Sequence, residues 1–242
     1  VAGKRDNVCG STSNVVGQHT RVAPVRQVQA DPAMIRQALA VLIDAGDVFE
    51  IRCVKATIGT SRRSGVVSGY FDDPDAAVQA LRAVSAEGVY VTLNTVSPDL
   101  LARRCNRLDY AGSGETTKDA EITRRRWLLI DADAVRPAGI SATDEEHDAA
   151  LQRSTAVAAW LREHGWPDPI QADSGNGSHL LYRVDLPADD AKLCHRVLKA
   201  LAAQHDDARV TIDPSVANAS RICKLYGTLA RKGDAIPTRP HR

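Results

Sequence analysis

Aromatic side chains make up only 4% of the chain, too few to mark out a surface of stacked rings for nucleic-acid bases. Tyr70, Tyr90 and Trp127 are therefore expected to serve packing. The cysteines are Cys9, Cys53, Cys105, Cys194 and Cys223. They are odd in number, scattered and without a CxxC pair, which excludes a disulfide framework and a zinc cluster of ordinary spacing. A reduced, cytoplasmic protein is expected. Cys194 and His195 are adjacent but lack a second local pair, so Cys194 reads as helix packing. No apolar run approaches the ~20 residues that cross a bilayer, and no membrane partner is expected. The polar N-terminus carries no signal-peptide pattern, so residues 1–30 read as a flexible arm.

Excess charge of either sign is also missing. With 31 basic and 30 acidic residues the net charge is +1, so attraction for anions must come from local clusters. There are three: Arg103, Arg104 and Arg107; Arg124, Arg125 and Arg126; and Arg221, Lys224, Arg231 and Lys232. What is abundant is apolar material, 43% of 242 residues, enough for the core of one compact catalytic unit.

Asp31, Pro32 and the spacing of Ile35, Leu39 and Leu42 predict a helix over 31–45. Strands follow at 48–54 and 65–71. A second helix opens at Asp73-Pro74 and ends before Gly88, and a strand covers 89–93. A short helix at 98–104 leads to an exposed loop at 107–119. Trp127-Leu128-Leu129-Ile130 reads as a buried strand open to solvent at Asp131. Thr143 and Glu146 form a capping-box pattern for a helix closing at Gly165. Strands at 170–172 and 179–184, a helix over 189–204, and strands at 209–212 and 222–225 complete a sheet covered by helices.

Three elements carry chemistry. Asp131-Ala132-Asp133 continues the apolar strand, and alternation turns both carboxylates to one face, where their repulsion calls for a cation such as Mg²⁺ or Mn²⁺. The same spacing alone is also met in a strand-end turn with solvated acids. Ser174-Gly175-Asn176-Gly177-Ser178-His179 offers backbone N–H groups that could line a phosphate nest, or simply a hairpin turn before a strand. Val210-Thr211-Ile212-Asp213 ends another apolar strand in an acid, and Arg221 and Lys224 follow with charges suited to a polyphosphate.

In this order the three elements resemble the archaeo-eukaryotic primase superfamily, in particular the primase-polymerase domains of phages, plasmids and related bacterial elements. The apolar strand ending in acid-x-acid at Asp131 and Asp133, the small residue, glycines and histidine from Ser174 to His179, and the apolar-Asp pair at Ile212-Asp213 match its motifs. Arg221-Ile222-Cys223-Lys224-Leu225-Tyr226-Gly227-Thr228 and Val89-Tyr90-Val91-Thr92-Leu93-Asn94 are also similar to the phage group. Ala219 stands where relatives often have proline. The resemblance implies an α+β fold, a primase catalytic core in which an N-terminal α/β subdomain packs on an RNA-recognition-motif-like sheet. It would span 31–234, with subdomains of about 31–122 and 123–234 and a linker-like tail at 235–242. It implies template-directed synthesis from nucleoside triphosphates on single-stranded DNA, with pyrophosphate released, in the replication of a mobile element and with a helicase as an associated domain or protein. Asp131, Asp133 and Asp213 would hold two Mg²⁺ or Mn²⁺ ions. Ser174, Gly175, Gly177, His179, Arg221 and Lys224 would bind the nucleotide, and Arg103, Arg104, Arg107, Arg124, Arg125 and Arg126 the template. The rival readings are a non-catalytic nucleic-acid-binding module of a replication initiator and a metal-dependent nuclease.

Overall fold

The computed structural model describes Val1 and residues 30–242. Cys9 and nearly all of the arm expected at 1–30 lie outside the described residues. No helix among the described residues is long and apolar enough to cross a membrane.

Helix α1 (Pro32–Leu42) starts where Asp31 accepts hydrogen bonds from the Ala33 and Met34 amides, and it buries Ile35, Ala38, Leu39 and Leu42. It is shorter than expected because the chain becomes extended at Ile43. Strands β1 (Phe49–Ile58) and β2 (Gly65–Phe71) follow, then α2 (Pro74–Leu81), capped by Asp73. This helix stops well before Gly88. The next residues form a short strand, β3 (Val84–Ser85), paired with β1 ahead of β4 (Gly88–Thr92).

β5 (Thr95–Val96) and β6 (Asp109–Tyr110) are two-residue strands. The loop expected at 107–119 is therefore anchored, by β6 on β2 and by the Thr117 amide, which donates to the buried Glu50 carboxylate at 3.1 Å. β7 (Ile122–Ala134) is far longer than its apolar centre. α3 (Asp144–Glu163) has the expected capping box, Thr143 with Glu146. β8 (Ile170–Asp173), β9 (Gly177–Pro187), α4 (Leu193–His205), β10 (Val210–Ile212) and β11 (Ile222–Lys224) complete the chain. α4 begins later than 189 because Ala191 and Lys192 both adopt left-handed backbone, at φ 49° and 64°.

The fold is α+β with two antiparallel sheets. The first runs β11-β4-β1-β2-β6, with β3 beside β1. The second runs β10-β7-β9-β8, with β5 on β7. Its chain order is strand, helix, strand, strand, helix, strand, the split βαβ pattern. One apolar core joins both sheets, from Ile35, Phe49 and Ile51 to Ile130, Leu180 and Leu198. Alternation on β7 divides its side chains. Ala132 packs with Ala149, Ala150 and Val210 beneath α3. On the other face, Trp127 donates through Nε1 to the Leu42 carbonyl at 2.8 Å. That face meets the rest of the core at one end and opens at the other, where Asp131 and Asp133 project.

Asn94 ties the sheets together at the end of this face away from the two acids. Its buried amide donates to the Ala219 carbonyl at 2.8 Å and accepts from the Arg126 and Trp127 amides at 2.9 and 3.3 Å. Asn94→Ala would leave these backbone groups without partners, a loss of about 2–4 kcal/mol. Urea unfolding would register it as a lower midpoint with an unchanged slope.

Candidate active site

The register of the second sheet assembles the site. Asp131 pairs with His179 and Asp133 with Gly177 across β7 and β9. On the other side Thr211 pairs with Asp133, and the Asp213 amide donates to the Asp131 carbonyl at 3.0 Å. Directly opposed residues in antiparallel strands share a face. Asp131, Asp133 and His179 therefore lie on the face turned away from α3, and the Asp213 backbone runs beside Asp131.

Asp131, Asp133 and His179 line a cleft of about 180 Å³, which Arg221, Lys224, Lys232 and Tyr90 close from the first sheet and the following chain. Ser174 and Asn176 complete its rim. Asp213 is not part of this lining. Its carboxylate accepts from the Ser215 amide and hydroxyl, both at 2.8 Å, and caps a short 3₁₀ turn at Pro214–Ala217.

Charge is divided between the two walls. Burial acts to raise the carboxyl pKa of Asp131, but His179 at 3.5 Å and the charges of Lys232 and Arg221 outweigh it and hold the group below the usual carboxylate range. Opposite, Lys224 is only 8% exposed, and burial pulls its ammonium down to about 8 despite the opposing charge of Asp173. Among the described residues its Nζ donates only to the Arg242 main-chain oxygen, at 3.3 Å. Arg221 donates through Nη2 to the Ser215 carbonyl at 2.7 Å, while its buried Nε has no partner among the described residues. An orphaned guanidinium donor on a cleft wall favours an anionic oxygen.

Three amides of the Gly-rich turn are engaged within the turn itself. The Ser174 amide donates to the Gly177 carbonyl, the Gly175 amide to Asp173, and the Gly177 amide to the Ser174 hydroxyl oxygen. Closing the hairpin uses these N–H groups. The glycines serve close approach instead. A Cβ on Gly177 would lie 2.3 Å from the Ala132 carbonyl and 2.9 Å from Asp133 Oδ1. One on Gly175, which has φ +89°, would lie 3.1 Å from Lys224 Nζ. The Ser174 hydroxyl keeps its proton available to the cleft. His179 Nδ1 lies 2.8 Å from the Tyr226 hydroxyl.

The arginines expected to hold a template do not form a basic groove. Arg124, Arg125 and Arg126 fall within β7, so alternation sends neighbours to opposite faces. Arg125, 7% exposed, donates to the Ala188 and Ala217 carbonyls, while Arg124 and Arg126 pair with Asp185. Arg104, 8% exposed, pairs with Glu115, and Arg103 pairs with Glu121. Arg107 alone of the six is exposed without a carboxylate partner among the described residues. Sequence reasoning treated Tyr90 as packing and did not assign Lys232 or Tyr226 to the site. The only signal was the position of Lys232 in a basic cluster and of Tyr90 and Tyr226 in the segments resembling the phage group.

No family model matches the chain, and no curated protein matches it. A solved structure, the polymerase domain from Mycobacterium tuberculosis Ligase D in complex with DNA, is similar over 87% of this chain and 79% of that one. The identity is 14% and the TM-score 0.47.

Carboxylate oxygens facing a polar cleft are the donor type that Mg²⁺ and Mn²⁺ take, so the residues fit such an ion in chemistry and in the face they share. Among the described residues, however, no three His, Cys, Asp or Glu side chains converge to hold one. Asp133 Oδ1 accepts from Arg136 Nη1 at 2.8 Å, and Asp213 is turned to Ser215. A ligand set would require both to exchange these partners.

Lys224 provides a test that does not depend on the reaction. Its folded pKa of about 8 lies below its ordinary value of 10.5, so the unfolded chain binds the extra proton more readily. Below pH 8 the folded protein carries the whole penalty of the buried charge. As pH rises from 8 to 10.5 the penalty fades and the protein gains stability. At about 1.4 kcal/mol per pKa unit the penalty is on the order of 3 kcal/mol. Lys224→Met should therefore be more stable than the parent at pH 7, with the difference shrinking towards pH 10.5. Thermal unfolding across that range checks the sign.

Proposed function

We propose that the chain is a template-directed nucleotidyl transferase of the primase-polymerase kind, built on an archaeo-eukaryotic primase core. The supporting observation is the division of the cleft: Asp131 and Asp133 on one wall, and on the other a buried Lys224 and an Arg221 whose Nε has no partner among the described residues. Among the described residues this buried ammonium has no carboxylate side chain at bonding distance, which is costly, and a bound polyphosphate would offset that cost.

In this reading a nucleoside triphosphate lies between the walls. Arg221, Lys224 and Lys232 neutralise its phosphates, and the Ser174 hydroxyl and His179 Nε2 donate to its oxygens. Asp131, Asp133 and Asp213 would hold Mg²⁺ or Mn²⁺, which when bound would stabilise the attacking and leaving oxygens. The protein's own part is positioning: Arg221, Lys224 and Lys232 would orient the triphosphate so that a 3′-hydroxyl, brought by a primer on single-stranded DNA, lies in line with the α-phosphorus; the new O–P bond forms as the bond to pyrophosphate breaks, and the hydroxyl proton passes to solvent. Tyr90, on the wall facing the carboxylates, would contact the nucleoside rather than its phosphates.

A metal-dependent nuclease would use the same carboxylates, but it has no need for Arg221, Lys224 and Lys232 facing them. The double variant Asp131→Ala, Asp133→Ala should lower primer extension to below about one-hundredth of the wild-type rate. Extension of a labelled primer with each nucleotide set and each metal measures this, and full extension by the variant would overturn the assignment. Wild-type protein that cuts labelled single-stranded DNA with metal alone, and adds no nucleotide, would replace this function with the nuclease. Nucleic-acid binding with neither activity would point to the initiator module.

A further inference from the structure

Asn176 stands in the turn between β8 and β9, is 4% exposed, and lines the cleft with Ser174. Its side-chain amide has two unlike ends. The Ala142 backbone amide lies 2.9 Å from Oδ1. A backbone N–H only donates, so the end facing Ala142 is the oxygen, and the other end is an NH₂ group that can only donate. That nitrogen gives a hydrogen bond to no group among the described residues, yet it is not sealed from solvent. With the rest of the residue buried, the side left open to it is the cleft. The turn is held on both flanks by the chain around the start of α3. Ala142 fixes Asn176 itself, and His147 Nε2 lies 3.0 Å from Asp173 Oδ1, which also accepts from the Gly175 amide at 2.6 Å. The turn also stands beside a cation, since a Cβ on Gly175 would lie 3.1 Å from Lys224 Nζ. A donor held still next to an ammonium suits an anionic oxygen, because its orientation is set before the ligand arrives.

We propose that Asn176 is a ligand-binding residue of the cleft, its Nδ2 donating to a phosphate oxygen of a bound triphosphate beside Lys224. The inference rests on the function proposed above and adds to it a neutral donor whose direction is set by the Ala142 amide. The glycines on either side of Asn176 then have a common purpose: they let the turn come close enough to the cleft walls for this short side chain to reach the ligand.

The test follows the Asn176 side-chain NH₂ resonance by nitrogen-15 NMR of the intact chain, titrated separately with a nucleoside triphosphate and with inorganic triphosphate, each with Mg²⁺. Both ligands should move it downfield. Binding of the nucleotide with this resonance unmoved would overturn the proposal, and movement with the nucleotide alone would overturn the assignment to a phosphate oxygen. Calorimetry measures the strength of the contact. Asn176→Asp keeps an oxygen for the Ala142 amide and turns the donor into an acceptor, so it should bind either ligand at least about tenfold more weakly. The added charge contributes to that loss. The neutral Asn176→Ala should therefore be measured beside it, with about fivefold weaker binding expected, the worth of one hydrogen bond. Wild-type affinity in either variant would overturn the proposal. Should a variant fail to fold, the wild-type resonance decides. If the wild type binds neither ligand, the proposed function fails and this inference with it; if it binds and the resonance is unmoved, only the inference fails.

Discussion

Everything at the site depends on the antiparallel register of β10, β7 and β9. Because Asp131 falls opposite His179 and Ile212 opposite Ala132, Asp131, Asp133 and His179 share one face and the backbone of Asp213 is brought beside Asp131, its carboxylate turned to Ser215. A slip of one residue in β7 would send both acids beneath α3 and bring Ala132 to the cleft. The register is held by what lies behind it. Ala132 and Val210 pack on Ala149 and Ala150, leaving no room there for a carboxylate, and Gly177 lets β9 approach the Ala132 carbonyl without a side chain between. The apolar face thus determines where the polar face can be.

The two sheets then set the charge balance. The second contributes carboxylates, and the first contributes Lys224 through β11, which leaves the second sheet's neighbourhood after β10 and pairs with β4. This crossing is the reason that cations from the C-terminal stretch face acids from the middle of the chain. It also explains the burial of Lys224: as a β-strand residue paired with Tyr90, its side chain has one direction open to it, into the cleft. Gly175 makes space for the ammonium there. A lysine so constrained lowers the stability of the folded state at neutral pH, because burial disfavours its charged form.

Much of this was legible in the sequence, and the unread parts have physical causes. The apolar run into Asp131, the capping box at Thr143 and the caps at Asp31 and Asp73 are local signals, and the elements begin where those signals stand. The arginine clusters misled because consecutive charges on a strand alternate faces, so Arg125 is interior while Arg124 is not. The Gly-rich turn left both readings open because glycine spacing cannot distinguish an N–H cradle from a hairpin that uses its own N–H groups. The site roles of Tyr226 and Lys232 had no local pattern to announce them. They follow from tertiary geometry: the chain after β11 lies beside the end of β9, and nothing in the spacing of residues 179 and 226 encodes that.

The carboxylates and the cations also carry unequal weight in discriminating between reactions. A row of acids facing solvent suits metal-assisted hydrolysis of a nucleic acid as readily as nucleotide addition, since both pass through a charged phosphoryl centre flanked by oxygens. What differs is the ligand's remaining charge. A phosphodiester brings one negative charge to the reacting phosphorus, whereas a triphosphate brings two further phosphates that need cations on the side away from the attacking oxygen. In this cleft Arg221, Lys224 and Lys232 are supplied from the opposite wall, and one of them is buried at a cost to the folded state. The proposed function rests on this difference: a single diester would not need that arrangement, whereas a polyphosphate would.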